Sequence, residues 1–158
     1  MKGGVPVEQK TVLELFDRHA DTVYRTAISL LRSPQDAEDA VQAVFLKLLE
    51  GGVTVYPGRE RAFLTKATIN HCKNLLRAAK RRTAVPLDEV DLPAPPEDRD
   101  LLRAVMDLPE KYRMVVVLHY FEGYSFQEIA GFLHIGASGV SMRLHRAKGI
   151  LKKQLGRD

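Results

Sequence analysis

The sequence has little that could cross-link or anchor a folded chain. It contains a single cysteine, Cys72, among 158 residues, which excludes an intramolecular disulfide and a multi-cysteine zinc site. Its longest uninterrupted apolar run, residues 114–118, is far shorter than the roughly 20 residues that span a bilayer. The N-terminal residues lack the apolar core of a signal peptide. We therefore expect a cytoplasmic protein, without membrane insertion, that is held together by side-chain packing.

Patterns for catalysis and metal binding are also missing. None of the five histidines forms the i, i+4 pair with a carboxylate that a helical zinc hydrolase requires. His71 and Cys72 are adjacent, so on a helix they point about 100° apart and do not converge on one ion. The sequence has no Gly-rich phosphate loop and no nucleophile elbow. We predict no cofactor, no metal and no enzymatic activity, and we interpret Cys72 as a small core residue.

Charge divides the chain into three segments. Residues 1–82 carry 14 basic and 9 acidic side chains, residues 83–100 carry 1 and 6, and residues 101–158 carry 9 and 5. The acidic segment also holds four prolines, which remove amide donors and disfavour helix. The sequence therefore predicts an all-α fold of two small helical domains, residues 1–82 and 99–158, joined by an acidic Pro-rich linker over residues 83–98.

Two helices are predicted in the first half of the first domain. Apolar residues recur at three- and four-residue steps from Glu8 to Arg32, which is typical of a helix that buries one stripe. Ser33 and Pro34 predict the cap and first residue of a second helix, and Gly51-Gly52 predicts its left-handed end. The predicted buried stripe of the first helix is Val12, Leu15, Phe16, Val23, Ala27, Leu30 and Leu31. That of the second is Ala37, Ala40, Val41, Val44 and Leu48.

A third helical pattern, from about Arg59 to Arg82, is strongly basic. It holds eight basic side chains and one acidic side chain within 24 residues, whereas a solvated helix face normally mixes both signs. Contact with phosphate is therefore favoured over a merely soluble surface. Its predicted apolar positions are Phe63, Leu64, Ala67, Cys72, Leu75 and Leu76.

The second domain contains a helix-turn-helix pattern. Helices are predicted from Pro96 to Asp107 and from Leu108-Pro109-Glu110 to near Gly123. Ser125 and Glu128 then fit a capping box, which starts a short helix to Leu133. After the tight connection at residues 134–136, Ser138 is predicted to cap a last helix. The predicted buried stripe of that helix is Val140, Leu144, Ala147, Ile150 and Leu151. Its predicted outward residues are Gly139, Ser141, Met142, Arg143, His145 and Arg146, which suit a helix entering the major groove.

Several of these motifs, in this order, resemble the extracytoplasmic-function group of bacterial RNA polymerase sigma factors, which keep sigma domains two and four. The matching segments in the first domain are Ser33 to Gln42 with Phe45-Leu46, and Arg61 to Leu64 followed by Asn70 and by Asn74 to Arg77. Those in the second domain are Leu108-Pro109 with Arg113, Gly123 to Ser125 with Glu128 to Ala130, and Gly139-Val140 with Arg143 to Ala147.

The resemblance implies a transcription initiation factor that binds core RNA polymerase and directs it to specific promoter DNA, reading one element as duplex and the other as a melted strand. An anti-sigma partner is expected. The implied polymerase-binding residues are Asp36, Glu38, Asp39, Gln42 and Phe45. The implied residues for the downstream element, besides a loop over 51–61, are Arg61, Asn70, Lys73, Asn74, Arg77 and Arg81. Those for the upstream element are Ser138, Ser141, Met142, Arg143, His145 and Arg146.

This chain departs from the family at three positions. Relatives commonly have an acid where Ala43 stands, a tryptophan where Phe63 stands, and a lysine or arginine where Ser141 stands. Two other hypotheses remain open on the residues alone. One is a stand-alone helix-turn-helix regulator, which would leave the acidic helix without a role. The other is a sigma-like decoy that binds an anti-sigma protein, which would have no use for the basic third helix.

Overall fold

The computed structural model describes residues 5–6, 9–80 and 99–156. The chain divides into two compact units, residues 1–88 and 89–158. The predicted all-α fold is confirmed, and the structure adds a ribbon of two strands with two residues each. The predicted linker, residues 83–98, and the first residues of the helix predicted from Pro96 lie outside the described residues.

Three helices build the described part of the first unit, residues 5–6 and 9–80. They are α1 (Gln9–Leu31), α2 (Pro34–Leu49) and α3 (Glu60–Lys80), and each packs against the other two. A short antiparallel ribbon joins β1 (Val5–Pro6) to β2 (Thr54–Val55) and so fastens the α2–α3 loop to the N-terminus. The core of the unit is formed by Val12, Leu15, Val23, Val41, Val44, Phe45, Leu48 and Leu64.

The two ends of α2 follow the predicted signals. The Ser33 side chain accepts a hydrogen bond of 3.3 Å from the Asp36 amide, and Pro34 is the first helical residue, where a missing amide donor is harmless. Gly51 and Gly52 then adopt positive φ angles of 86° and 75°, a conformation that glycine reaches without steric penalty. All five residues of the predicted buried stripe are buried.

Two residues predicted in buried stripes are exposed. Phe16 is 43% exposed and Leu75 is 41% exposed. The neighbouring residue Leu15 is 5% exposed and faces the core. The Phe16 ring instead packs edge-on against Phe45 of α2, with 5.1 Å between ring centroids. Phe16 therefore lies at the margin of the α1–α2 contact.

The second unit holds four α-helices within its described part, residues 99–156. They are α4 (Arg99–Asp107), α5 (Glu110–Val116), α6 (Phe126–Leu133) and α7 (Ala137–Gln154). A π-helical segment, Val117–Phe121, continues α5. Helix α7 is central, because α4, α5 and α6 all pack against it.

A buried arginine joins α4 to α5. Arg113 is 4% exposed, and its Nη1 atom donates hydrogen bonds to the Met106 and Leu108 carbonyl oxygens at 3.1 Å and 3.0 Å. These carbonyls belong to the end of α4, where helical partners run out. The Arg113 side chain, which belongs to α5, thus donates hydrogen bonds to carbonyl groups at the end of α4. This contact fixes the turn at Pro109 between the two helices.

The two helices of the predicted helix-turn-helix are present as α6 and α7, but the cap of the second helix differs from the prediction. Ser125 and Glu128 form a complete capping box, and His134 takes the left-handed conformation at the end of α6. The prediction that Ser138 caps α7 is wrong. Gly136 is the N-cap, in extended conformation and without a side-chain hydrogen bond, so Ser138 lies inside the first turn. Of the predicted stripe, Val140, Leu144 and Ala147 are buried, whereas Ile150 and Leu151 are only partly buried.

Candidate functional site

The exposed side of α2 is acidic and polar. Asp36, Glu38, Asp39 and Gln42 are all exposed, while the opposite side of the helix packs into the core. Asp36 lies in the first turn, where a negative charge complements the helix dipole. Phe45 differs from its four predicted companions, because it is 4% exposed. It belongs to the core and supports this side of α2 from beneath.

Helix α1 borders the same surface. Tyr24 on α1 is half-buried, and its pKa is raised by burial and, to a smaller extent, by the negative charge of Glu38 on α2. The Phe16–Phe45 contact marks a second point where the two helices meet. The surface around α2 is therefore made by two helices.

One side of α3 carries cations and amides. Residues at helical spacing place them within an arc of about 120°, and none of them is buried: Lys66, Asn70, Lys73, Asn74, Arg77 and Lys80. The Arg77 Nη1 atom donates a hydrogen bond of 3.1 Å to the Asn74 side-chain oxygen. This bond holds the guanidinium and the amide next to each other, and both groups have further N–H donors. Arg81 lies outside the described residues.

Arg61 is separated from that side of α3. It is half-buried and lies about half a turn around the helix from the Asn70 to Arg77 row. Its charge acts on His19 of α1, whose pKa is lowered chiefly by burial and then by Arg18, against an opposing effect of Glu60. The structure therefore does not place Arg61 beside the other predicted downstream residues.

Two hydrogen bonds hold the loop before α3 at the end where the helix begins. Gly58, with a φ of 79°, donates its amide to the Glu60 carboxylate at 2.8 Å, and the Arg59 amide donates to the Tyr56 carbonyl at 3.0 Å. The pKa of Glu60 is lowered by hydrogen bonds from its own amide and that of Gly58. Val55 is buried beneath the loop and Tyr56 is 52% exposed. Sequence reasoning did not single out Tyr56, although an aromatic residue between loop glycines is a usable signal.

Cys72 is part of the core, as predicted. It is 0% exposed, and burial raises the pKa of its thiol to about 12.

We expect the Cys72 thiol to resist alkylation in the folded protein. The thiolate is the reactive species, and burial suppresses both its formation and its access. Iodoacetamide labelling at pH 8, followed by mass spectrometry, should be slow in buffer and fast in denaturant. Equal labelling rates in the two conditions would contradict the buried position.

Helix α7 exposes most of the residues predicted to meet duplex DNA. Ser138, Ser141, Met142, His145 and Arg146 are exposed and share one side of the helix within an arc of about 140°. Arg143 is half-buried and flanks this side. A side chain added at Gly139 would meet Ile135 at 3.7 Å, an ordinary contact distance, so Gly139 is not required by packing.

Arg146 has a partner that sequence reasoning missed. The pKa of the Tyr112 phenol on α5 is lowered, chiefly by hydrogen bonding from the Arg146 side chain and to a smaller extent by the charge of Lys111. The Lys111 Nζ atom also lies 5.0 Å from the centre of the Tyr112 ring. The Arg146 guanidinium on α7 and the Tyr112 phenol on α5 therefore lie close enough to interact.

We expect Arg146→Ala to raise the pKa of Tyr112 toward its ordinary value, because the substitution removes the hydrogen bond and a positive charge that both favour the phenolate. A pH titration followed by NMR of ¹³C-labelled tyrosines would measure this. Lys153→Ala, at the far end of α7, is the control and should leave the Tyr112 titration unchanged. An unaltered Tyr112 in Arg146→Ala would contradict the contact.

Neither a metal cluster nor a membrane span is found in the described parts of the chain. No group of three histidine, cysteine or acidic side chains there could hold a metal ion. No helix there is long and apolar enough to cross a membrane.

Two family models match the two units. Residues 15–82 match Sigma-70 region 2, and residues 98–151 match Sigma-70, region 4. The chain is 32% identical over 152 residues to the ECF RNA polymerase sigma factor SigM of Mycobacterium tuberculosis, across 90% of this chain and 76% of SigM. This chain belongs to the extracytoplasmic-function group of RNA polymerase sigma factors. The predicted family is thereby confirmed.

Other similarities agree with this membership. The sigma factor is 33% identical over 155 residues to SigE of Mycolicibacterium smegmatis, across 90% of this chain but only 60% of SigE. It shares its fold with the sigma factor RpoE from Bartonella quintana, solved in complex with the anti-sigma factor NepR, at a TM-score of 0.78 and 20% identity over 94% of this chain and 99% of that chain. CnrH, solved in complex with the cytosolic domain of CnrY, matches at a TM-score of 0.65 and 22% identity over 94% of this chain and 89% of that chain.

As a sigma factor, the protein is a transcription initiation factor and not an enzyme, and it directs RNA polymerase to promoters. A match to region 2 as well as region 4 sets aside the stand-alone helix-turn-helix regulator.

Proposed function

We propose that this sigma factor divides its work among three surfaces. The acidic side of α2 docks on the clamp helices of core RNA polymerase. The basic side of α3, with the loop before it, binds the downstream promoter element as a melted strand. Helix α7 reads the upstream element as duplex. The observation that carries this division is the separation of charge, with exposed acids on α2 and exposed cations and amides on α3 of the same unit.

The sign of the charge on α2 supports a protein partner. Three exposed carboxylates, Asp36, Glu38 and Asp39, would repel DNA phosphates and would complement a basic protein surface. Ala43 stands beside Gln42, so this chain lacks an acid that relatives commonly place there. We therefore assign the electrostatic part of docking to the three acids that remain.

The side chains on α3 suit a single strand. Lysines and arginines there can follow a phosphate backbone, and the amides of Asn70 and Asn74 can hydrogen-bond to base edges that become accessible only when strands part. The exposed ring of Tyr56 in the preceding loop offers a stacking surface for an unpaired base. Strand opening is unfavourable by a few kcal/mol per unstacked base, so such contacts are needed to stabilise it.

The side chains on α7 suit a duplex. The major groove admits a helix, arginine binds guanine edges, and small residues allow close approach. Arg143 and Arg146 would supply base or phosphate contacts, while Ser138 and Ser141 leave room at the start of the helix. Ser141 removes one cation relative to most relatives, so the two arginines carry more of the binding.

Transcription in vitro tests the function as a whole. Core RNA polymerase from the host bacterium, supplied with the purified chain, should initiate at a set of genomic promoters that core enzyme alone does not use. The same assay separates a sigma factor from a decoy, since a decoy adds no start sites. Absence of any new start site would overturn the proposal.

We also propose an anti-sigma partner and a place of action in the cytoplasm with RNA polymerase. Two small units can be held by one partner in an arrangement that hides their DNA-binding surfaces. Two of the similar structures are complexes. The sigma factor RpoE is bound to the anti-sigma factor NepR, and CnrH is bound to the cytosolic domain of CnrY.

Tagged chain purified from uninduced host cells should therefore bring down a non-polymerase protein in about equal amount, and that protein should inhibit transcription in the assay above. Recovery of polymerase subunits alone would count against regulation by a dedicated partner.

A further inference from the structure

Two cations from different helices of the second unit lie beside one phenol. Lys111 and Tyr112 are consecutive residues of α5, and Arg146 lies on α7, which packs against α5. The Lys111 Nζ atom lies 5.0 Å from the centre of the Tyr112 ring. The pKa of the phenol is lowered, first by hydrogen bonding from Arg146 and less by the charge of Lys111 and hydrogen bonding from it. These three side chains are called the α5–α7 cluster below.

The α5–α7 cluster is open to solvent but stands on a well-packed base. Lys111 and Arg146 are exposed, and Tyr112 is half-buried. The Tyr112 amide donates a hydrogen bond of 2.9 Å to the Pro109 carbonyl oxygen. The next residue is the buried Arg113, whose side chain holds the end of α4. The backbone that carries Lys111 and Tyr112 is therefore held in place.

The charges that act on the Tyr112 phenol are of one sign. They are those of Lys111 and Arg146, and two cations beside the same neutral group repel each other unless an anion lies between them. A neutral phenol that accepts hydrogen bonds from cations still has one O–H to donate. An oxyanion at this point can accept from an ammonium, a guanidinium and a hydroxyl together, and this set of donors suits a phosphate group.

The position of the cluster beside α7 indicates where such a phosphate would lie. Arg146 shares the exposed side of α7 with Met142 and His145. A helix with its side chains is about 10–12 Å across and the major groove is about 12 Å wide, so a helix in the groove has a phosphate backbone close to it on each side. Side chains that α5 places next to Arg146 therefore lie toward one of these two backbones.

We propose that Lys111, Tyr112 and Arg146 together bind one backbone phosphate of the upstream duplex, so that α5 takes part in promoter binding beside α7. The proposal rests on the assignment of α7 to duplex DNA and adds to it a second helix and two residues, Lys111 and Tyr112. A backbone contact carries no sequence information, but it fixes the register and orientation of the helix that does. The cluster therefore contributes equally at every promoter.

The test uses holoenzyme formed with the full chain and measures Kd for a promoter duplex over a series of salt concentrations, at a temperature at which the promoter stays closed. Lys111→Ala should raise Kd about fivefold at physiological salt and reduce the steepness of log K against log salt by about one, as expected for one lost phosphate contact. Tyr112→Phe keeps the ring and removes the hydroxyl, so it should raise Kd about threefold and leave the salt dependence unchanged. Both losses should be the same on a promoter whose upstream element is mutated.

Arg103→Ala is the matched control, since Arg103 is an exposed cation of the same unit but lies on α4. It should change neither Kd nor the salt dependence, and an effect as large as that of Lys111→Ala would overturn the proposal in favour of net charge. If Arg143→Ala weakens binding while Lys111→Ala and Tyr112→Phe bind normally, α7 binds the duplex but the cluster does not. If all three variants bind normally, the assignment of α7 to duplex DNA itself fails.

A titration distinguishes a backbone phosphate from a free one. An anion bound beside the phenol disfavours the phenolate, so it raises the pKa of Tyr112. NMR of ¹³C-labelled tyrosines in the full chain should show this rise with sodium pyrophosphate and not with sodium chloride at the same ionic strength. The same rise, combined with normal promoter binding by Lys111→Ala, would show that the cluster takes free phosphate and would overturn its assignment to the promoter. No rise, combined with an unchanged salt dependence in Lys111→Ala, would show that it binds no phosphate.

Discussion

Asp39→Lys is expected to weaken binding to core RNA polymerase by about 2 kcal/mol, or roughly thirtyfold in Kd, because the change replaces attraction to a basic surface by repulsion. Asp39 is exposed in the middle of α2 and does not contact the core. The fold should therefore be unaffected. The loss should shrink as salt is added, since the effect depends on charges that counterions screen.

Asp36→Lys is a less clean probe of the same surface. Asp36 occupies the first turn of α2, where a positive charge opposes the helix dipole and costs about 0.5–1 kcal/mol of stability. Asp100 also lies in the first turn of its helix, α4, so Asp100→Lys controls for that kind of stability loss. Pull-down of core enzyme that is unchanged by both Asp36→Lys and Asp39→Lys would show that α2 docks elsewhere or not at all.

Local signals in the sequence located most helix ends, because a cap is specified by one or two residues. Ser33 and Pro34 start α2, the Ser125–Glu128 box starts α6, and Gly51 ends α2. The prediction for Ser138 was wrong because serine is a favourable N-cap residue in general, so its presence alone does not locate the start of a helix. Gly136 already supplies an extended residue at the turn, so α7 begins before Ser138 is reached.

Features set by tertiary contact were not visible in the sequence. The ribbon between β1 and β2 pairs segments almost fifty residues apart, and each strand is too short to show alternation. The π-helical segment Val117–Phe121 has an apolar composition that fits an α-helix equally well. The role of Arg113 also depends on carbonyls at the end of α4 that only the folded unit brings within reach.

For the same reason, the sequence predicted which residues of the candidate surfaces are exposed but not which of them contact another helix. Helical periodicity was enough to place Asp36, Glu38, Asp39 and Gln42 on one exposed side of α2. It did not reveal that Phe45 is buried against Phe16 or that Arg146 lowers the pKa of Tyr112, because the two residues of each pair belong to different helices.

Arg143→Ala is expected to impair recognition of the upstream element selectively, by about 1–3 kcal/mol if the guanidinium binds a guanine. Holoenzyme affinity for a promoter with an intact upstream element should fall. Affinity for a promoter in which that element is already mutated should fall much less. Lys152→Ala, further along α7, removes a cation without a proposed base contact, so it should weaken both promoters alike.

Asn74→Ala is expected to give the opposite pattern. It should leave binding of the closed duplex intact and reduce strand opening at the downstream element, because we propose that α3 binds the DNA strand only after the two strands have separated. The substitution also frees Arg77 from its 3.1 Å hydrogen bond, so Arg77→Ala and the double variant are needed to separate the amide from the cation. If the amide acts directly, Asn74→Ala still reduces opening in the Arg77→Ala background.

Permanganate footprinting and holoenzyme binding on one promoter distinguish these defects. Arg143→Ala should lower occupancy while the fraction of bound promoter that opens stays constant. Asn74→Ala should keep occupancy and lower that fraction. The separation follows from the physical difference between the surfaces, since base edges in the major groove are available in duplex DNA whereas the bases assigned to α3 are accessible only in the melted strand. If both substitutions depress closed-complex affinity equally and leave opening unaffected, the two units do not divide promoter recognition in this way.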